Sequence, residues 1–280
     1  MRLIAFGALV GYLAARLLWV ALHPVLTAPV LTRSNYRGRT LVTGAGVVLP
    51  LALLVIEGIR VGSGAFGVGR SVTIGGARLL TLLAAWGFGS LGLVDDLFGR
   101  NRERGFGGHL HELRRGRLTT GGLKFVGGAA LALVVVSPAT PKPGAQLFID
   151  AALVALSANL GNLFDHRPGR VTKLASLMFV VLVVATHASH VLLPVGVVVG
   201  AGLGLFRDDL REHLMLGDAG ANVLGAVLGL GTVMACSTGT RVGALVVVTL
   251  LNLLSEVMSF SGVVDAIPPL RFLDGLGRRM

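Results

Sequence analysis

The chain is a succession of apolar runs of membrane-crossing length, separated by short polar loops. A helix needs roughly 17–25 consecutive apolar residues to cross a bilayer. Such runs lie at 3–22, 41–59, 75–94, 123–138, 147–164, 171–187, 190–206, 216–235 and 241–256. The fourth and sixth are short, and the boundary at 187–190 is thin. Inside hydrocarbon every backbone N–H and C=O must find a partner within the chain, which favours helices. The pattern therefore predicts an all-α, polytopic integral membrane protein with nine transmembrane helices, ten being the alternative count. The first run carries Arg16 and no small-residue cleavage site follows it, so it is expected to stay as a span. The longest polar stretch, 97–122, reads as a loop with one short helix. No stretch is long enough for a separate soluble domain, so residues 1–280 are expected to form one membrane domain.

Only 14% of the residues are charged, against about 25% in an ordinary soluble domain. The 41 glycines show no collagen-like period and suit helices whose backbones approach closely. Cys236 is the single cysteine, which excludes an internal disulfide; in its apolar run it reads as a small buried hydrophobe. The net charge of +11 points, in a chain this apolar, to loops facing anionic lipid or an anionic substrate rather than nucleic acid.

Lys and Arg concentrate in cytoplasmic loops, and this bias sets orientation. With the amino terminus outside, 18 of 25 Lys and Arg residues fall on the cytoplasmic side and 6 outside, with Arg16 inside the first span. Twelve of the 14 acids follow them, all but Glu57 and Asp150. The carboxyl-terminal tail, 260–280, is amphipathic: Leu270, Phe272, Leu273 and Leu276 share a face, and the tail suits the cytoplasmic membrane surface.

The acids lie at the ends of the apolar runs: Asp95-Asp96 in GLVDDLFGR, Asp165 in GNLFDHRPGR, Asp208-Asp209 in LFRDDLREH and Asp218 in LGDAG. A carboxylate at such a depth needs a cationic partner and is a functional candidate. Neighbouring residues on a helix point about 100° apart, so Asp95 and Asp96 are expected to do different jobs. One would face a metal or reacting phosphate, and the other would hold a Lys or Arg. Both sit at a helix carboxyl end, where the dipole favours cations. Asn159, Asn162 and Asp165 recur every three residues on one helix face; the amides could orient a base or sugar, or hydrogen-bond between helices. Arg167, Arg170 and Lys173 follow, and the fork of Arg matches phosphate oxygens. Asp218, between glycines at a helix start, suits either capping or metal binding. Lys124 and the segment 33–39, with Arg37, would extend an anion-binding floor. No histidine pair has a clean metal spacing, and there is no P-loop, GxSxG or HExxH.

Together these motifs resemble the polyprenyl-phosphate N-acetylhexosamine-1-phosphate transferase superfamily, which includes the phospho-N-acetylmuramoyl-pentapeptide transferase. NYRGRTLVTGAG is similar to the family's first cytoplasmic loop, and GLVDDLFGR followed by TTGGLKFVGG to its aspartate pair and lysine segment. GNLFDHRPGR is similar to its Asn-x-x-Asp loop and LGDAGANVLG to its Gly-Asp motif; the four span residues 35–225. The resemblance implies a phosphoglycosyl transferase. A polyprenyl phosphate, undecaprenyl or decaprenyl, would attack the inner phosphate of a UDP-sugar, giving a lipid-linked sugar pyrophosphate and UMP for envelope glycan synthesis. It implies Mg²⁺, with Mn²⁺ as the alternative, on Asp218 and Asp95. Asp95, Asp96, Asp165 and Lys124 become catalytic residues, and Asn159, Asn162, Arg167, Arg170, Arg37 and Asp208 substrate-binding ones. The implied place is a bacterial plasma membrane with the site facing the cytoplasm, in a monomer or homodimer.

The chain departs from the family in several places. His166-Arg167-Pro168-Gly169-Arg170 stands where Gly-Leu-Asp-Gly usually follows, and Asp208 stands where Asn is common. The carboxyl-terminal histidine motif and final span are missing, which argues against a muramoyl-pentapeptide substrate. A non-catalytic relative that binds polyprenyl phosphate, or a secondary transporter, are the alternatives. A transporter would place its carboxylates near the bilayer midplane.

Overall fold

The computed structural model describes residues 1–69, 73–99, 120–140 and 144–278. Residues 100–119, which hold most of the polar loop expected to carry one short helix, lie outside the described residues. The described chain forms eleven α-helices: α1 (Arg2–Leu26), α2 (Val48–Ala65), α3 (Ala77–Phe98), α4 (Thr120–Val136), α5 (Ala145–Phe164), α6 (Arg170–Ala185), α7 (Leu193–Leu210), α8 (Gly217–Ala235), α9 (Thr238–Val257), α10 (Phe260–Ala266) and α11 (Pro268–Gly275). The protein is thus an all-α, polytopic membrane protein. Eight of its described helices are long and apolar enough to cross a bilayer. The sixth expected span, 171–187, forms α6, whose 16 residues reach about 24 Å at 1.5 Å per residue, short of a hydrocarbon core of about 30 Å. It stops because Thr186 and the left-handed pair His187 and Ala188 turn the chain towards α7.

Helix α8 is the axis of the fold. Nearly every residue from Ala219 to Gly231 is buried, and α8 packs against α2, α3, α5, α6 and α7. One apolar cluster joins it to α1, α2, α6 and α7, through residues such as Leu49, Val198, Leu205 and Leu224. Another joins it to α3, α4 and α5, through Phe88, Val135, Val154 and Leu230. In lipid there is little hydrophobic drive between helices, so close packing of small residues must hold them together. Gly92 of α3 lies so near α8 that a Cβ there would collide with the Asp218 carbonyl, and a Cβ at Gly225 would collide with the Ser157 carbonyl of α5. These contacts bring the carboxyl ends of α3 and α5 beside the amino terminus of α8.

The first loop is a small antiparallel hairpin, β1 (Thr32–Ser34) and β2 (Thr40–Val42), with Thr32 opposite Val42. It is stitched to the segment entering α8: the Met215 N–H donates to the Val42 carbonyl at 2.7 Å and the Gly46 N–H to the Leu216 carbonyl at 2.9 Å. Away from this end, the two acids that the sequence set apart are neutralised internally. Glu57 pairs with Arg60 at 2.7 Å and Arg78 at 2.6 Å. Asp150 accepts from Arg241 at 3.0 Å, Thr140 at 2.9 Å and Gln146 at 2.7 Å.

Candidate functional site

The site forms around the first turn of α8. Gly217 enters the helix at φ 66, a left-handed turn that favours glycine. A Cβ there would also meet the Asp96 carboxylate oxygens at 2.6 and 2.8 Å. The turn aims the first amides of α8 at the end of α3. The Asp96 carboxylate accepts from the Asp218 N–H and the Ala219 N–H, both at 3.0 Å. A helix start leaves such amides without intrahelical partners, and here a carboxylate from another helix satisfies them.

That geometry separates the two members of the aspartate pair. Asp96 faces the α8 amides, whereas the Asp95 side chain is in hydrogen-bonding contact with the Asp218 side chain. The cap from Asp96 leaves the Asp218 carboxylate free of its own helix, and Lys124 of α4 forms an ion pair with it. The carboxyl end of α3 gains a second cation: Arg33 of the hairpin donates to the carbonyls of Asp96 at 3.2 Å and Leu97 at 3.1 Å. Acids at the wrong end of the α3 dipole are thus compensated by Lys124, by Arg33 and by the positive end of α8.

Asp165 completes the group from the carboxyl end of α5. Withdrawal from water, then the neighbouring carboxylates of Asp209, Asp218 and Asp96, hold its carboxyl well above the ordinary range, and a hydrogen bond from the Gly217 amide opposes the rise. Next to it, burial and then Arg170 push the His166 imidazole down.

Other expected site residues are placed differently. Asn159 donates to Asn252 of α9 at 2.7 Å, so its amide joins two helices. The Asn162 carbonyl accepts from the Asp165 N–H at 3.1 Å, and its side chain has no hydrogen bond among the described residues. Asp208 is not in the group: it forms an ion pair with Arg16 of α1 and neutralises the charge inside the first span. Arg170 is buried, donates to both oxygens of Asp274 at 2.9 and 2.8 Å and reaches Ser261 at 2.9 Å. Lys173 donates to the carbonyls of Leu273, Asp274 and Leu276. Both cations fasten the tail, and their spacing alone could not reveal it. Arg37 pairs with Glu212 at 3.2 Å, as does Arg39 at 3.3 Å. Arg167 reaches Asp265 at 3.3 Å and lies 4.6 Å from the centre of the Tyr36 ring.

Asp209, which the sequence marked with Asp208, and three residues outside the expected set shape the site. Asp209 is buried and accepts from the Gly169 N–H at 2.9 Å, fixing the loop after Asp165. Glu212 holds the hairpin and adopts a left-handed φ of 56, a conformation of the kind that clusters at functional sites. Asp274 locks the tail, and Tyr36 meets two arginines. Asp209 was signalled by its place at the end of an apolar run, and Glu212 only as an acid beside Arg211.

Among the described residues, no group of three or more His, Cys, Asp or Glu side chains is disposed to hold a metal ion. The chemistry of the donor set still fits a divalent cation. Asp95 and Asp218 lie side by side with Lys124 as the cation paired to Asp218, and hard oxygen donors of this kind suit Mg²⁺. Neither a protein-family model nor a curated protein matches the chain.

Proposed function

We propose that the protein transfers a sugar-1-phosphate, N-acetylhexosamine-1-phosphate by resemblance, from a UDP-sugar to polyprenyl phosphate, releasing UMP. The observation that carries this reading is the meeting of Asp95, Asp218 and Lys124 beside Asp165 at the capped start of α8. Two anionic substrates repel each other, and the reaction concentrates charge on the bridging oxygen. Lys124 is placed to neutralise a phosphate if it exchanges Asp218 for the substrate. Asp165, whose carboxyl takes up a proton more readily than usual, suits a general base working nearer neutral pH. Asp96 holds the start of α8 in register. When bound, Mg²⁺ on Asp95 and Asp218 would supply charge stabilisation for the leaving pyrophosphate oxygen. The excess of Lys and Arg on one side supports a cytoplasmic face for the site, and the resemblance implies a bacterial plasma membrane.

The assay is direct. Purified protein with Mg²⁺, polyprenyl phosphate and a panel of UDP-sugars should release UMP, and Asp218→Asn should abolish the release while leaving the fold intact. Equal activity in the mutant removes Asp218 from the chemistry. A second reading, a non-catalytic binder of polyprenyl phosphate, is favoured by the direct Lys124–Asp218 pair. Inactivity with every sugar, together with retained lipid binding, selects it.

A further inference from the structure

Beyond the carboxylates, the hairpin and the loop after Asp165 bring cations together around one aromatic ring. Tyr36 lies at the hairpin tip, 45% exposed. The Arg167 guanidinium carbon lies 4.6 Å from its ring centre and that of Arg37 5.4 Å. We propose that Tyr36 is a positioning residue that holds Arg167, and with it Arg37, as a seat for a phosphate-bearing ligand. The identity of that ligand as the nucleotide sugar rests on the transferase reading.

Contact with the face of a ring uses none of the five N–H donors of a guanidinium, so the planar edge stays free for phosphate oxygens. The tether of Arg167 is correspondingly weak. Its bond to Asp265 is 3.3 Å long and Asp265 is 48% exposed, and exposed ion pairs of this kind contribute little. Arg170, three residues on, is the opposite case: its guanidinium is spent on Asp274 and Ser261. Of these two arginines, only Arg167 can therefore change partners cheaply.

The local charge agrees. Arg37, Arg39 and Arg167 face two acids, Glu212 and Asp265. Among the described residues, three cations against two anions leave one positive charge for an incoming anion. The Tyr36 hydroxyl has no hydrogen bond among the described residues, so the ring alone should do the work.

The test uses inorganic pyrophosphate as probe and full-length protein in detergent, with binding read by calorimetry. Tyr36→Phe should bind within twofold of the wild type. Tyr36→Leu should bind about three- to thirty-fold more weakly, the range for losing a cation–π contact. Arg167→Lys, which keeps the charge but loses the flat face, should weaken binding similarly. In an Arg167→Ala background, Tyr36→Leu should change affinity less than twofold further. A melting midpoint for Tyr36→Leu equal to wild type keeps the loss local. Unchanged binding in Tyr36→Leu, an equal loss in Tyr36→Phe, or no pyrophosphate binding by the wild type overturns the proposal. Binding that follows the expected pattern in a protein that releases no UMP ends the transferase reading and leaves the seat standing.

Discussion

At the scale of single residues, the two neighbours of the aspartate pair have separate tasks because a helix turns them apart. Asp96 caps α8 through two amides, and Asp95 meets Asp218. Replacing Asp96 by Ala should therefore act on stability. Loss of a carboxylate cap costs about 0.5–2 kcal/mol, and two orphaned amides place this variant at the upper end. Thermal unfolding in detergent measures it, and Asp96→Asn, which keeps an acceptor, should fall between wild type and Ala. Asp218→Asn should show the reverse pattern, with an unchanged midpoint and lost UMP release. A midpoint for Asp96→Ala equal to wild type would remove the capping role. The aspartates themselves were legible in the sequence as costly acids at helix ends. Which one capped and which one stayed free was not, since LGDAG alone suits both roles.

At the scale of elements, the tail α10–α11 is tied down by the basic loop that the sequence suggested for phosphate. Phe260 stacks on Phe164 with ring centres 4.7 Å apart, and Asp274 is gripped by Arg170 and Arg278. Burial alone would raise the Asp274 carboxyl, but the hydrogen bonds and charges of Arg170 and Arg278 hold it down at about 2. Because the folded value lies below the ordinary one, the unfolded chain takes up the proton first as pH falls. The stabilisation, about 2 kcal/mol, is complete above about pH 4 and lost as pH falls through about 2. Denaturant unfolding of wild type and Asp274→Asn should show a gap near neutral pH that closes below pH 4. A gap that stays constant down to pH 2 would falsify the assignment. The expected amphipathic face remains available, with Leu270, Phe272, Leu273 and Leu276 exposed, while the polar side docks onto protein. A second test belongs to the α8 contacts. Gly92→Val should cost at least the 1–3 kcal/mol or so typical of overpacking, because the obstacle is backbone that cannot rotate away. A conventional melting curve decides, and an unchanged midpoint would show that α3 can move off α8.

At the scale of the whole molecule, the fold places a polar, mixed-charge end around the start of α8 and keeps the acids elsewhere neutralised by internal partners. The membrane orientation proposed from the Lys and Arg bias is testable. In a Cys236→Ser background, a cysteine at Gly38 should react with a membrane-impermeant maleimide only from the cytoplasmic side, and one at Gly67 only from outside. Labelling on the reversed sides would invert the topology and move the site to the other face. What the sequence determined by itself is the local part: membrane class, helix positions and the end at which the acids gather, because hydropathy and charge act over one helix length. Even there α6 proved shorter than its apolar run, since a left-handed turn ends it. What only the tertiary structure decided is partnership. Asp96 meets the Asp218 amide across 122 positions, Lys124 meets Asp218 across 94, and Arg170 meets Asp274 across 104. Such pairs depend on how closely helix backbones approach, and no local pattern encodes which cation reaches which acid.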